Sequence, residues 1–394
     1  MSARSVNPKL VIGIETIYNK EQFKSFGIFN TLKNYNNLHF NDLLSDNNNI
    51  YNYLQKLIIE SSDLDIKNVI LDNNKLKGGF IADVVSFNII TKTNNNHHLI
   101  LKYENKDINN LSIMAKQLQL YDREYYFYNN ISKYVNINIP KFYNLLLDEN
   151  NNNCGIILEN LFNKNYKNNI NLNEVEIEVS LKIIDKMSQL HSKFWNKDLK
   201  TLYPKLKYSI DECFNPFFNN FINEKYDEFV NKWSCILNEK QLNYCSNIKN
   251  NFNKIQERLS KNNITFIHGD IKSPNIFYDI SNNYDPYFID WQHCAIGKGC
   301  QDLIFFIIES FDITKLHIIY PLFKNYYYMK LLENNINYLY EDYNNDIIDA
   351  ICYVPYFTAI WFGTTPQEDL IDKNFPYFFI NKLFYLIEMI KPNI

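Results

Sequence analysis

A change of hydrophobic period near residue 160 limits what this chain can fold into more than any other feature. Before it, Val69–Asp72, Val84–Thr91, His98–Tyr103, Phe142–Leu147 and Cys154–Leu158 have the β-branched and aromatic content of strands. After it, apolar residues recur three and four apart over Val175–Trp195, Phe217–Leu237, Tyr244–Leu259, Leu316–Leu332 and Tyr377–Ile390, a spacing that predicts helices. One exception interrupts the helical part: Ile264–Ile267, Ile276–Tyr278 and Tyr287–Ile289 read as short strands that support loops. The chain therefore divides into a strand-rich first part and a helical remainder, with the boundary at Glu159–Lys167 and no internal repeat.

With 394 residues, 46% of them apolar, the chain has enough material for a substantial core in one large or two ordinary domains. A net charge of −4 without any concentrated lysine segment excludes binding to nucleic acid by phosphate neutralisation. No continuous apolar run approaches the roughly 18 residues of a membrane span, and Met1–Lys20 lacks the basic start and apolar stretch of a signal peptide, which points to the cytoplasm. The 7 cysteines are odd in number and never form Cys-x-x-Cys, so neither a disulfide framework nor a zinc site is expected. Runs of Asn at 47–49, 94–96 and 150–153 read as turns, because Asn tolerates the left-handed backbone region and hydrogen-bonds its own backbone.

The candidate chemistry is concentrated in the exception. A loop reads His268-Gly269-Asp270-Ile271-Lys272-Ser273-Pro274-Asn275, and Ile289-Asp290-Trp291-Gln292 follows at a distance that brings two carboxylates and an amide into one region. Transfer of a phosphoryl group needs a carboxylate that orients and accepts the proton of the attacking hydroxyl, together with hard oxygen ligands for magnesium. Asp270 suits the first role, and Asn275 with Asp290 suits the second. Singly, each is equally a turn-former or a strand end; together, with this spacing, they point to phosphoryl transfer.

His-Gly-Asp-x-x-x-x-Asn, followed by Ile-Asp-Trp-Gln and by Gly297-x-Gly299-x-x-Asp302-Leu303, resembles the aminoglycoside phosphotransferase and choline kinase superfamily. Gln292 and the segment Leu190-His191-Ser192-Lys193-Phe194-Trp195 resemble most the ecdysteroid-kinase-like branch. The resemblance implies a protein-kinase-like, two-lobe α+β fold: a small antiparallel-sheet N-lobe with one long helix, then a larger, mainly helical C-lobe, with ATP or another nucleoside triphosphate and Mg2+ held in the cleft. The N-lobe would span 1–158, with a helical extension over about 1–65 and the nucleotide-binding sheet and helix over 66–158; the hinge would be 159–167 and the C-lobe 168–394.

The same resemblance requires a strand lysine for the nucleotide phosphates and a helix glutamate that fixes it. Lys102 ends the run Leu99-Ile100-Leu101. Glu124 lies in a stripe formed by Tyr121, Tyr128 and Ile131, where a carboxylate calls for a cation opposite. Gly78 and Gly79 occupy the place of a phosphate-covering turn, or equally form a tight hairpin without a ligand role. Glu159 to Leu161 fall at the hinge, where backbone groups bind adenine. His268 packs and hydrogen-bonds the loop, or exchanges protons; Gln292 orients the loop or the substrate, and Asp302 supports the catalytic loop while capping the helix that runs through Leu303 to Ile308. His191 and Trp195 are a helix-end core feature or a substrate contact. Tyr353, Tyr356, Phe357, Trp361 and Phe362 are core, or a wall for an apolar or quaternary-ammonium acceptor.

The expected activity is an ATP- and Mg2+-dependent transfer of the γ-phosphoryl group to a hydroxyl of a small molecule. The alternative is a kinase-like nucleotide-binding or interaction protein without turnover, against which intact Asp270, Asn275 and Asp290 count. No residue pattern assigns an oligomeric state or the identity of the acceptor.

Overall fold

Alternation of apolar and polar residues from Ile66 to Glu104 produces three antiparallel strands, β1 (Ile66–Lys75), β2 (Ala82–Thr91) and β3 (Asn96–Glu104). The computed structural model describes residues 65–75, 81–104, 110–147, 153–162, 165–168, 170–370 and 372–390. Gly78, Gly79, Asn47–Asn49 and the extension expected over 1–65, apart from Asp65, lie outside the described residues. Contacts group the chain into two units: one takes the residues up to Lys133 together with Ile139–Asn165, the other Tyr134–Asn138 together with Tyr166–Ile394.

In the first unit, β4 (Phe142–Leu147) and β5 (Asn153–Glu159) complete a five-stranded sheet of order β1-β2-β3-β5-β4, in which every neighbouring pair is antiparallel. The β2–β3 turn passes through Asn94 at φ 60, as the Asn run predicts. Lys102 is paired with Val84 on one side and Ile156 on the other, so its backbone is fixed in mid-sheet.

The helix expected after β3 is built in segments: α1 (Asn110–Gln117), α2 (Leu120–Tyr126), a π-helical turn at Phe127–Ile131 and a 3-10 turn at Ser132–Tyr134. The break falls at Gln119, whose φ of 55 lies in the left-handed region. The guanidinium of buried Arg123 donates to the Leu118 carbonyl at 2.9 Å, which satisfies an acceptor that the interrupted helix leaves open. The stripe expected on this element holds: Tyr121, Glu124, Tyr128 and Ile131 are all buried.

Residues two apart on a strand share a face, and Glu104 follows Lys102 at that interval. Its carboxylate lies 3.7 Å from Lys116 of α1. Burial, opposed by Lys116 and reinforced by Asp122, pushes it up to about 7 from the ordinary 4.5. The folded chain thus retains a proton that the unfolded chain releases between these values. Stability present below pH 4.5 is lost as pH rises through 7, by up to about 3 kcal/mol. Glu104→Gln should flatten this decline. Denaturant unfolding of both proteins at pH 5 and pH 8 checks it, and equal pH slopes would remove Glu104 as the cause.

The second unit has small sheets and many helices. Its β6 (Tyr166–Asn168) precedes α3 (Ile177–Phe194), α4 (Leu199–Leu202), α5 (Asn215–Trp233) and α6 (Glu239–Leu259). Then come β7 (Thr265–Ile267), β8 (Ile276–Asp279), β9 (Asp285–Phe288) and β10 (Ala295–Gly297). After them, α7 (Gly299–Ser310) and α8 (Leu316–Glu333) lead to α9 (Tyr340–Cys352), α10 (Val354–Thr364) and α11 (Phe375–Ile390). The antiparallel pairs β10–β7 and β6–β8–β9 form the two small sheets. Helix α7 runs through the core, with Leu303, Ile304, Phe306, Ile307 and Ile308 fully buried.

Within the 25 residues Tyr340–Thr364, one 18-residue window reaches a mean hydropathy of 1.3, the level of a membrane-crossing segment. That window is 78% buried, and the segment is split between α9 and α10 at Tyr353 (φ −99, ψ −100), so in the second unit it serves as core. The aromatic set on α10 belongs to that core. Phe357 meets Phe218 at 4.3 Å and Trp361 meets Phe221 at 4.7 Å between ring centroids, and the Tyr356 hydroxyl donates to Cys245 O. The side chains of six of the seven cysteines are described, all free thiols, and among these only Cys235 is exposed.

Candidate active site

The β8–β9 hairpin sets the register of the site. Ile276 is opposite Phe288, and the Ile289 N–H donates to Asn275 O at 3.0 Å, so Asn275 and Asp290 leave the hairpin as near neighbours. Asp290 then turns into the left-handed region (φ 67, ψ 63) at the head of the 3-10 turn Trp291–His293. Among charged residues, Asp adopts this conformation at modest cost.

The loop between β7 and β8 is held from several sides. Asp270 is 8% exposed; its Oδ2 accepts from Asn275 Nδ2 at 2.9 Å, and its Oδ1 lies 3.0 Å from Lys272 Nζ. Asn275 Nδ2 also donates to the Asp270 carbonyl at 2.9 Å. Both amide hydrogens are thereby used, and the Oδ1 carbonyl is the group left for a ligand. At the far end, the Ser273 N–H donates to Ser310 Oγ and the Ser273 hydroxyl to Ile170 O.

His268 is fully buried and pinned at both ring nitrogens. Nε2 donates to Ile289 O at 2.9 Å, and Nδ1 accepts from the Asp270 N–H at 3.2 Å. Burial, against the pull of Asp302 and Asp270, lowers its pKa and keeps the ring neutral. It packs on Trp291 at 4.4 Å. These contacts are those of a loop support, as the sequence implies. Gly269 has φ +83, and a Cβ there would stand 2.2 Å from His293 O. Gln292 is buried.

Asp302 corrects one expectation. It does not cap α7, which begins at Gly299 and whose first turn is closed by the Gln301 side chain accepting from the Lys298 N–H at 2.7 Å. Asp302 is one turn inside the helix and has no exposure. Its carboxylate accepts from the His268 N–H at 2.8 Å and the Gly269 N–H at 2.7 Å. The cap role falls, and the carboxylate is bonded to two backbone amides of the loop.

Lys272 went unnoticed in the sequence, where a lysine carries no distinction in a lysine-rich chain. Burial works against its charge, but Asp270 and Glu309 outweigh it and hold the ammonium above its ordinary range. Burial in turn raises half-buried Glu309, against the pull of Lys272 and Lys382.

The first unit brings together the other expected pair. Lys102 Nζ lies 2.8 Å and 3.0 Å from the two oxygens of Glu124, with side-chain exposures of 13% and 2%. The Tyr121 hydroxyl donates to Ile81 O, which ties α2 to the start of the β2 segment. At the expected hinge, the Glu159 N–H donates to Lys141 O and its carboxylate accepts the Lys141 N–H, while the Asn160 N–H is taken by His98 O. Among the described residues no acceptor takes the Leu161 N–H.

Solved structures similar to the chain include aminoglycoside 2'-phosphotransferase-IIIa in its GDP complex, at 12% identity, over 86% of this chain and 97% of that one, with a TM-score of 0.47. Choline kinase LicA from Streptococcus pneumoniae is similar at 13% identity, over 86% and 99%, with a TM-score of 0.45. An ethanolamine kinase of Plasmodium vivax is similar at 15% identity, over 85% and 83%, with a TM-score of 0.47. No curated protein sequence matches. The pattern of the ecdysteroid kinase-like family matches residues 82–340, from the first residue of β2 to the first of α9 and across Lys102, Glu124, Asp270, Asn275, Asp290 and Asp302. That match covers more than half of the chain, which therefore belongs to the ecdysteroid kinase-like family.

Proposed function

We propose that the protein transfers the γ-phosphoryl group of ATP, or of another nucleoside triphosphate, to a hydroxyl of a small molecule, with Mg2+. The observation that carries this reading is the bonding of Asp270: a carboxylate near the surface, oriented by the Asn275 amide and faced by the Lys272 ammonium. A base that accepts the acceptor's proton must be aimed, and those two partners fix the direction of the carboxylate. Magnesium takes few protein ligands and fills its octahedron with water and phosphate oxygens. Asn275 Oδ1 and the Asp290 carboxylate are hard oxygen donors on neighbouring backbone positions at the end of the hairpin, and they would hold the ion, which supplies charge neutralisation on the phosphates.

Lys102, fixed by Glu124, would direct the nucleotide phosphates, and the backbone at Glu159 and Leu161 would take the base. Catalysis of this kind is mainly positioning and electrostatics, so rigid support of Asp270 matters as much as its chemistry. The acceptor would be selected by helices α9–α11, which lie almost wholly beyond the family match, and by the segment from Asn196 to Tyr244. Kanamycin, choline and ethanolamine, which appear in the names of similar proteins, belong in the test panel.

The test is incubation of the full chain with ATP and Mg2+ against small alcohols, sterols and aminoglycosides, with ADP release as the readout. ADP formation that depends on one acceptor class is the expected result. Nucleotide binding without acceptor-dependent ADP across the panel would favour the reading without turnover.

A further inference from the structure

Asp302, the residue that holds the loop amides, is itself bonded to buried His191, which is bonded in turn to buried Tyr327. His191 on α3 has no exposure, and its Nε2 lies 3.1 Å from Asp302 Oδ2. Its Nδ1 lies 2.8 Å from the hydroxyl of Tyr327 on α8, which also has no exposure. The Thr265 hydroxyl donates to His191 O at 2.7 Å and anchors the histidine to β7, the strand that leads into the loop.

Proton positions follow from the donor inventory. The Asp302 oxygens already accept the His268 and Gly269 N–H groups and can only accept from His191, so Nε2 carries the hydrogen. Nδ1 is then an acceptor and takes the Tyr327 O–H. A charged imidazolium would have to donate from Nδ1 to the Tyr327 oxygen, leaving a buried hydroxyl proton with no acceptor, a costly arrangement. The resulting order is Tyr327 to His191 to Asp302 to the loop. The second glycine of the Gly297-x-Gly299 motif makes room for it. A Cβ on Gly299 would stand 2.1 Å from the Tyr327 oxygen and 2.6 Å from His191 Nδ1.

We propose that His191 and Tyr327 are positioning residues for phosphoryl transfer: Tyr327 holds the His191 ring at Nδ1, His191 aims Asp302, and Asp302 fixes the His268 and Gly269 amides on which the placement of Asp270 depends. This rests on the phosphotransferase reading for its effect on turnover, but its effect on the loop does not. The Leu-His segment at the end of α3 and the Gly-x-Gly segment that enters α7 thereby serve one device.

Two substitutions at one position separate positioning from general packing. His191→Gln retains an amide N–H near the place of Nε2 and so a donor to Asp302. His191→Asn can meet Tyr327 but falls short of Asp302. Backbone hydrogen exchange in the full chain should be about tenfold faster at His268 and Gly269 in His191→Asn and Tyr327→Phe than in the wild type. His191→Gln should exchange close to the wild-type rate, and amides of α5 should be unchanged throughout. With an acceptor in hand, kcat should fall about tenfold in His191→Asn with the nucleotide KM unchanged, and should be restored in His191→Gln. Wild-type exchange at both amides in His191→Asn and Tyr327→Phe overturns the proposal, as does an equal loss in the Asn and Gln variants. Failure of every acceptor with a wild-type chain overturns the phosphotransferase reading alone, since the exchange measurement still decides the positioning.

Discussion

Exchange of Asp290 for Asn should abolish Mg2+-dependent turnover, and exchange of Asp270 for Asn should lower kcat by about 10^3-fold, while both variants keep the wild-type fold. The fold should survive for reasons particular to each site. Asn tolerates the left-handed conformation that residue 290 adopts (φ 67, ψ 63), so Asp290→Asn removes a charge without moving the backbone. At position 270 an amide oxygen can still accept from Asn275 Nδ2, although Lys272 loses its carboxylate partner. Under the proposed function, one exchange would remove a hard anionic ligand and the other the proton acceptor. Turnover measured over a magnesium series, alongside thermal unfolding, checks both. Full activity in Asp290→Asn would remove the metal assignment, and full activity in Asp270→Asn would remove the base.

Gly269→Ala should damage the protein through geometry alone. The position has φ +83, where an L side chain is strained, and the new Cβ would stand 2.2 Å from the His293 backbone oxygen, which cannot rotate away. Strain and overpacking together are worth about 3 kcal/mol, or a Tm lower by roughly 4 °C in a chain of this size. Any relief moves His293 and the loop apart. The loop amides that Asp302 holds would shift with it, so turnover should fall further than stability predicts. Thermal unfolding and kcat measured on one preparation test this, and a wild-type Tm would show that the loop does not run as described.

Some of this was legible in the sequence because the chemistry leaves few choices. A carboxylate at 124 inside an apolar stripe demands a cation, and Lys102 supplies it 22 residues away. Asp270, Asn275 and Asp290 are legible as a set because their spacing matches a hairpin, and the register of β8 with β9 brings the latter two together. Other features leave no trace in residue type. The break at Gln119 has no Gly, Pro or Asn to mark it; it depends on Arg123 reaching back to Leu118 O, a contact that only the folded chain defines. Asp302 after two glycines looks like a cap, yet the helix already begins at Gly299, and the carboxylate serves the loop in place of its own first turn. Lys272 acquires its role only from its distance to Asp270.

The short piece Tyr134–Asn138, between two stretches of the first unit, belongs to the second. Asn138 lies beside β9: its side chain donates to Asp285 Oδ2 at 2.6 Å and to Pro286 O at 3.2 Å, and its carbonyl accepts the Phe288 N–H at 2.9 Å. Asn136 donates to Gln189 O on α3. The polypeptide consequently changes unit three times, at 133/134, 138/139 and 165/166. Neither unit can be excised as one uninterrupted fragment. A dissection at 165/166 would strip the helical part of the strap along the strand that delivers Asp290, so a swap of modules between homologues has to carry the five-residue piece with the helical side.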